Sequence, residues 1–227
     1  MDTRKDFDKH LRRYTNLASV IDTLLHRRLT LLDPQRWEDK NDSVFLAAYK
    51  KRMKAKTVLA ICFTKSSETY HHWRSYSYGS DGACIEFRDE QLLDHITNNC
   101  EGVVHREVIY KELAKLEAEL PTDAELPFVK RYPYIGENEY RLIYVAKKKT
   151  EKVKHIPIDY AMIRRITLSP WMPQPLVKSV KKGLALITPG IEIETYQSKL
   201  INYPRWQSAL KRGQTPEPIT NRASTKD

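Results

Sequence analysis

Apolar positions along the chain switch between a spacing of two and a spacing near 3.6, and the switches mark out short elements. Residues 11–15 read as an extended segment, and Thr15 stands where it can cap a helix striped by Leu17, Val20, Ile21, Leu24 and Leu25. Residues 28–32 are β-prone and end at Asp33-Pro34, so strand, helix, strand is the first unit. A polar loop over 36–42 leads to a predicted helix over 43–55 carrying Phe45, Ala48, Tyr49 and Met53. Residues 57–63 are apolar almost throughout, which predicts a central strand.

Further on, 82–87 predicts a strand, a short helix runs from near Asp89 through Leu92, Leu93 and Ile96, and 103–110 has strand character. A helix over 111–120 places Leu113, Leu116 and Leu120 on one face, Pro121 stops it, and 121–133 is expected to be irregular. From 137 to 146 the side chains alternate: Glu137, Glu139 and Arg141 share one face, Tyr140, Leu142 and Tyr144 the other. A helical turn over 157–163, a strand over 165–168, a helix over 175–186 with lysines 178, 181 and 182 outside, and a strand over 191–195 complete the pattern. No repeat or composition break divides the chain, so the expectation is one α+β domain over 1–212 and a mobile tail over 213–227.

Composition narrows the class. Hydrophobic content of 41% and charged content of 30% fit a soluble globular chain, no run is long and apolar enough for a membrane span, and the polar start lacks a signal-peptide core. A cytoplasmic protein with no membrane partner is expected. Cys62 and Cys84 lie in apolar runs and read as buried reduced thiols, and no Cys-x-x-Cys or His-x-x-x-His spacing suggests a metal. The net charge of +10 favours an anionic partner: nucleic acid, a nucleotide or an acidic protein face.

Three clusters stand out as candidate chemistry. Arg12-Arg13-Tyr14-Thr15 puts two guanidiniums and a hydroxyl at a strand-to-helix junction, suited to a phosphate, although arginines on an exposed strand end fit the pattern equally. Residues 72–79 offer Ser75, Tyr76 and further aromatics for a planar ring, against the alternative that Trp73 and Tyr76 are core at a three-residue helical spacing and His71 and His72 are surface residues. The paired acids Glu137 and Glu139 supply a carboxylate for a cationic transition state, Arg141 is placed to keep Glu139 ionised, and the competing reading is a solvated edge strand. No Gly-x-Gly-x-x-Gly or Walker loop is present.

The same residues carry a resemblance. Arg13-Tyr14-Thr15, followed by a helix and a strand, is similar to the opening of many ADP-ribosyltransferase-superfamily domains. Trp73-Arg74-Ser75-Tyr76, Gly82-Ala83-Cys84-Ile85-Glu86-Phe87 and Glu137-Asn138-Glu139-Tyr140-Arg141-Leu142-Ile143 resemble a bacterial domain family of unknown function found near phage-defence genes. The resemblance implies an ADP-ribosyltransferase-like α+β fold of split, mostly antiparallel β-sheets with flanking helices. It implies NAD as the cofactor, bound by Arg13, Thr15, Ser75, Tyr76 and Arg141. Glu139 would be the catalytic acid with Glu137 beside it, acting on a nucleic acid or protein acceptor. A toxin or phage-defence effector of this kind implies an antitoxin or immunity partner. Two other readings stay open: a metal-dependent nuclease using Glu86, Glu137 and Glu139, and a non-catalytic basic module that binds nucleic acid.

Overall fold

The computed structural model describes residues 10–77 and 79–212; the expected tail over 213–227 lies outside them. Strands are β1 (His10–Asn16), β2 (Arg28–Leu32), β3 (Thr57–Thr64), β4 (Gly82–Arg88), β5 (Val103–Glu107), β6 (Ile109–Lys111), β7 (Val129–Arg131), β8 (Glu139–Ala146), β9 (Val153–Pro157), β10 (Ile163–Leu168) and β11 (Glu194–Gln197). Helices are α1 (Leu17–His26), α2 (Lys40–Arg52), α3 (Tyr70–Tyr76), α4 (Asp89–Asn99), α5 (Leu113–Ala118), α6 (Gln174–Ile187) and α7 (Pro204–Arg212). The architecture is mixed α and β, a large, mostly antiparallel sheet with helices flanking it.

The sheet runs β11-β10-β4-β1-β3; from β3 it continues both to β2-β9 and to β8-β5. Only the β10–β11 pair in it is parallel. The main core lies on one face, where Leu11, Ile61, Phe63, Ile85, Phe87, Leu142 and Ile166 meet Val20 and Leu24 of α1, Leu92 and Ile96 of α4, and Leu184 of α6. A smaller core on the other face packs Leu46 and Tyr49 of α2 against Val58, Ala60 and Ile143. The two cores take alternate residues of β3 and β8, as the pleat requires. That explains why 57–63 reads as apolar almost throughout.

Several boundaries differ from the sequence expectation for identifiable reasons. Asn16, not Thr15, caps α1: its Oδ1 accepts from the Ser19 N–H at 2.9 Å, and Thr15 stays in the ladder opposite Ala83. α2 starts at Lys40 because Asp39 caps it, accepting from the Asn41 and Asp42 N–H groups. Leu113 of α5 and Leu120, beyond the helix end, do not form a buried helix face but are largely exposed. The expected strand over 191–195 is displaced to Glu194–Gln197, where it pairs β10. The irregular stretch before 133 contains β7, parallel to β6 in a second, two-stranded sheet.

Gly82 opens β4 beneath α3, where an added Cβ would stand 2.2 Å from the Ser77 carbonyl oxygen. Gly183, inside α6, has open space around the same position. Gly82→Ala should lower unfolding free energy by about 1–3 kcal/mol. Gly183→Ala should raise it by about 0.5–1 kcal/mol. Urea denaturation of the two variants checks both signs.

Candidate functional site

Antiparallel registers bring five polar residues into one transverse row. Arg165 pairs with Glu86, Glu86 with Arg12, Arg12 with Thr64, and Thr64 with Glu139. Paired residues project to the same face. The row therefore crosses β10, β4, β1, β3 and β8, roughly 19 Å at ordinary strand spacing. It lies on the face opposite the main core. Glu86, Arg12, Thr64 and Glu139 are all buried, an arrangement that requires pairing because isolated buried charges are expensive.

At one end, Arg141 holds Glu139. Its Nε donates to Glu139 Oε1 at 2.5 Å and its Nη2 to Glu139 Oε2 at 2.9 Å. The same guanidinium donates from Nη1 and Nη2 to both oxygens of Asp42 on α2, at 2.7 and 2.5 Å, and from Nη1 to the Pro127 carbonyl at 3.0 Å. Trp37 lies 5.2 Å away, ring towards guanidinium. Burial pushes the Glu139 carboxyl up, but Arg141, then Lys130 and the Cys62 thiol, outweigh it and bring it down to about 2.

Glu137 reaches this place by a different route from the one its spacing suggests. It is not on β8: it ends the 3₁₀ turn Tyr132–Glu137, and Asn138, at φ 43°, reverses the chain into the strand. Its carboxylate nonetheless joins Glu139 through Lys130, whose Nζ donates to Glu137 Oε2 at 2.5 Å and Glu139 Oε2 at 3.2 Å. Burial raises the Glu137 pKa, against the lowering effect of Lys130 and of a hydrogen bond from Tyr76. Lys130 is itself raised: burial lowers it, and the two glutamates outweigh that.

Tyr76 belongs to a ladder of rings. Tyr14 stacks on His72 with centroids 5.4 Å apart, and His72 lies 6.2 Å from Tyr76. His72 is buried rather than on the surface, bonded at Nδ1 to Thr69 Oγ1 and at Nε2 to the Glu137 carbonyl, and its burial lowers its pKa. Trp73 is fully buried, edge-on to Tyr14, as a core residue. Tyr76 is about half exposed, so the ladder ends in solvent beside Glu137.

Beyond the ladder lies a cavity of about 250 Å³ lined by Arg12, Tyr14, Glu86, Arg165 and Tyr196 among others. A β-bulge between Ile163 and Arg165 turns both Arg164 and Arg165 onto Glu86, which Arg12 also meets, Nε to Oε2 at 2.7 Å. Arg165 Nε is buried and has no hydrogen-bond partner. Glu86 thus stands apart from Glu137 and Glu139 and is enclosed by arginines. Among the described residues no group of three His, Cys, Asp or Glu is arranged to hold a metal ion.

The predicted dinucleotide-binding residues are only partly brought together. Tyr76 meets the acids. Arg13 and Thr15 project to the main-core side of β1, one residue out of phase; Arg13 bridges the gap between β1 and β3 by donating to the Cys62 carbonyl at 3.1 Å. Arg12 and Tyr14 take the place expected of them. Leu11 carried the signal, since the apolar residue of this short strand fixes which alternate positions face the core. Ser75 is exposed on α3. Arg141 has no free N–H to offer a cofactor, because all five are used within the protein. Sequence reasoning missed Asp42 and Lys130, which reach Arg141 and Glu139 from elsewhere in the chain.

No protein-family model matches the chain, and no curated protein matches it in sequence. Among solved structures it is similar to Thermus sp. 2.9 DarT in complex with carba-NAD+ (13% identity, 86% of this chain and 98% of the other, TM-score 0.42). It is similar to the same protein in complex with ADP-ribosylated ssDNA (13%, 86% and 97%, TM-score 0.43) and with NAD+ (12%, 86% and 98%, TM-score 0.43).

A depressed carboxylate contributes stability above its unfolded pKa, and the contribution fades as pH falls through the folded value. For Glu139 the window runs from 4.5 down to about 2. Across it, Glu139→Gln should lose stability with acid less steeply than the wild type, as read by urea midpoints. Arg141→Ala, which strands two buried carboxylates, should cost about 3–5 kcal/mol at neutral pH.

Proposed function

We propose that the protein is an ADP-ribosyltransferase-like enzyme that uses NAD to modify a nucleic acid or protein acceptor. The observation that carries this reading is the row that joins Arg12, through Thr64, to an ionised Glu139 on one sheet face, with Tyr76 at the solvent end of the ring ladder. In this account the diphosphate lies by Arg12 and Arg165, and the nicotinamide ring lies against Tyr76. The bond between nicotinamide nitrogen and ribose C1 breaks, its electron pair leaving with nicotinamide. Glu139 stabilises the oxocarbenium-like ribose. An acceptor oxygen or nitrogen then attacks C1, and Glu137 takes its proton. Arg141, with no donor to spare, is a positioning residue.

Glu139 accepts from Arg141 twice, from Lys130 and from the Cys62 thiol, which fills the four lone-pair sites of a carboxylate. Substrate entry therefore requires Lys130 to swing wholly to Glu137. The toxin or phage-defence role, the antitoxin partner and the cytoplasmic setting belong to this same proposal. The closed coordination of Glu139, together with the net charge of +10, favours a second reading: a basic module that binds nucleic acid without turnover.

NAD should raise the melting temperature, and the wild type should release nicotinamide. Glu139→Gln should slow that release on the order of 10²–10³-fold. Nicotinamide release unchanged by the substitution removes Glu139 from the mechanism. Strongly salt-dependent nucleic-acid binding with no turnover of NAD establishes the second reading instead.

A further inference from the structure

Two lysine-rich segments far apart in the sequence meet at the end of β3 and β8 away from Glu139. Residues 50–56 carry five cations and no acid, and residues 147–154 carry five cations with Glu151 as their one acid. The β3–β8 ladder joins them. Thr57 is registered with Ala146, the Lys56 N–H donates to the Ala146 carbonyl at 2.9 Å, and Thr57 Oγ1 donates to the Lys149 carbonyl at 2.7 Å. Thr64 and Glu139 lie seven residues further along the same pair, roughly 23 Å at an ordinary strand rise.

The charge at this end is exposed and largely uncompensated. Lys51, Lys54 and Lys56 are exposed in the first segment, and Lys147, Lys148, Lys149 and Lys152 in the second. None of these lysines forms a salt bridge among the described residues. Arg52 meets Asp123 at 3.0 Å, and Glu151 accepts from the Tyr144 hydroxyl at 2.6 Å. Cations in the last turn of α2 complement the helix dipole, which accounts for Lys50, Lys51 and Arg52. It does not account for Lys54, Lys56 or the turn after β8. Lys54 stands at φ 50°, a left-handed conformation that disfavours a residue with a Cβ, so a cation is held where glycine is easier.

We propose that this end of the sheet is a docking surface for the phosphate backbone of a nucleic-acid duplex. The segments meet within a strand spacing of about 4.8 Å, inside a Debye length of about 8–10 Å, so their ammonium groups act on a polyanion as one field. Binding by counterion release depends on the number of such groups rather than on a preformed pocket. Neither segment contains an aromatic residue, so unstacked bases find no ring to lie on, which favours a duplex over a single strand. Lysine is depleted where proteins meet proteins, and stable membrane anchoring takes an apolar insert besides charge, for which Val153 is the one exposed apolar side chain of the two segments. The surface goes beyond the ADP-ribosyltransferase reading and does not depend on it, since it includes neither Glu139 nor the arginine-lined cavity.

Fluorescence anisotropy of a short labelled duplex of mixed sequence, titrated with the full chain across a salt series, tests the inference. Log K should fall linearly with log salt, at about 0.9 per phosphate contact over several contacts. Lys147→Gln, Lys148→Gln and Lys149→Gln combined should flatten that slope by about 2–3. Lys54→Gly should flatten it by about 1 without lowering the urea midpoint, because the backbone there suits glycine. Lys178→Gln, Lys181→Gln and Lys182→Gln combined, on the exposed lysine face of α6, should leave it unchanged. The proposal is overturned by no duplex binding at low salt, by an unchanged slope in the 147–149 variant, or by an equal loss in the α6 variant. It is equally overturned if a single strand of the same length, phosphatidylserine vesicles or polyglutamate binds more tightly than the duplex at the same salt and anionic charge.

Discussion

One guanidinium fixes the geometry of the candidate site. Arg141 is fully buried, and its five N–H groups all end on protein acceptors supplied by β8, by α2 and by the turn before β7. A buried cation costs several kcal/mol to desolvate, so the two carboxylates that face it are conditions of its being there. The consequence is mutual. Asp42 and Glu139 are tolerated in a dry place because they share Arg141, and α2 is tied to the sheet by charge as well as by Leu46 and Tyr49.

The same economy runs along the rest of the row. Arg12, Arg164 and Arg165 converge on Glu86, so a basic chain buries an acid at each end of its polar face and surrounds it with arginine or lysine. Thr64 spans the join between β1 and β3 where the ladder is reduced to a single registered pair, and its hydroxyl donates to the Glu137 carbonyl. The row is therefore a sequence of charges across one sheet face, while the opposite face carries the main core. The candidate site lies on the face that the main core does not use.

Much of the fold was legible because period-two and period-3.6 patterns are local properties. Residues 28–32, 57–63 and 82–87 read as strands and are strands, to within a residue. The alternation of Glu139, Tyr140, Arg141 and Leu142 correctly put the acid and the arginine on one face, and their ion pair follows from it. Glu137 falls outside the strand because the alternation that starts formally at residue 137 includes two positions, Glu137 at the end of a 3₁₀ turn and the left-handed Asn138, that precede β8. The Arg13-Tyr14-Thr15 motif points to Arg13, whereas the phase set by Leu11 on the core face puts Arg12 on the side of Glu139. Asp42 and Lys130 could not be found locally: Asp42 lies 99 residues from Arg141, and only the tertiary fold brings them together. His72 read as surface because a polar ring beside Trp73 gives no sign of the backbone acceptor waiting for it.

The central claim is that Glu139 is an ionised carboxylate locked under Arg141 on the same sheet face as Arg12. Titration of its side-chain carboxyl carbon by ¹³C NMR, assigned by loss of the signal in Glu139→Gln, measures this directly and without reference to any substrate. The carboxyl should remain ionised well below pH 4.5, with its midpoint at about 2. A midpoint at 4.5 or above would contradict the account, since a free or protonated Glu139 would mean that Arg141 does not hold it.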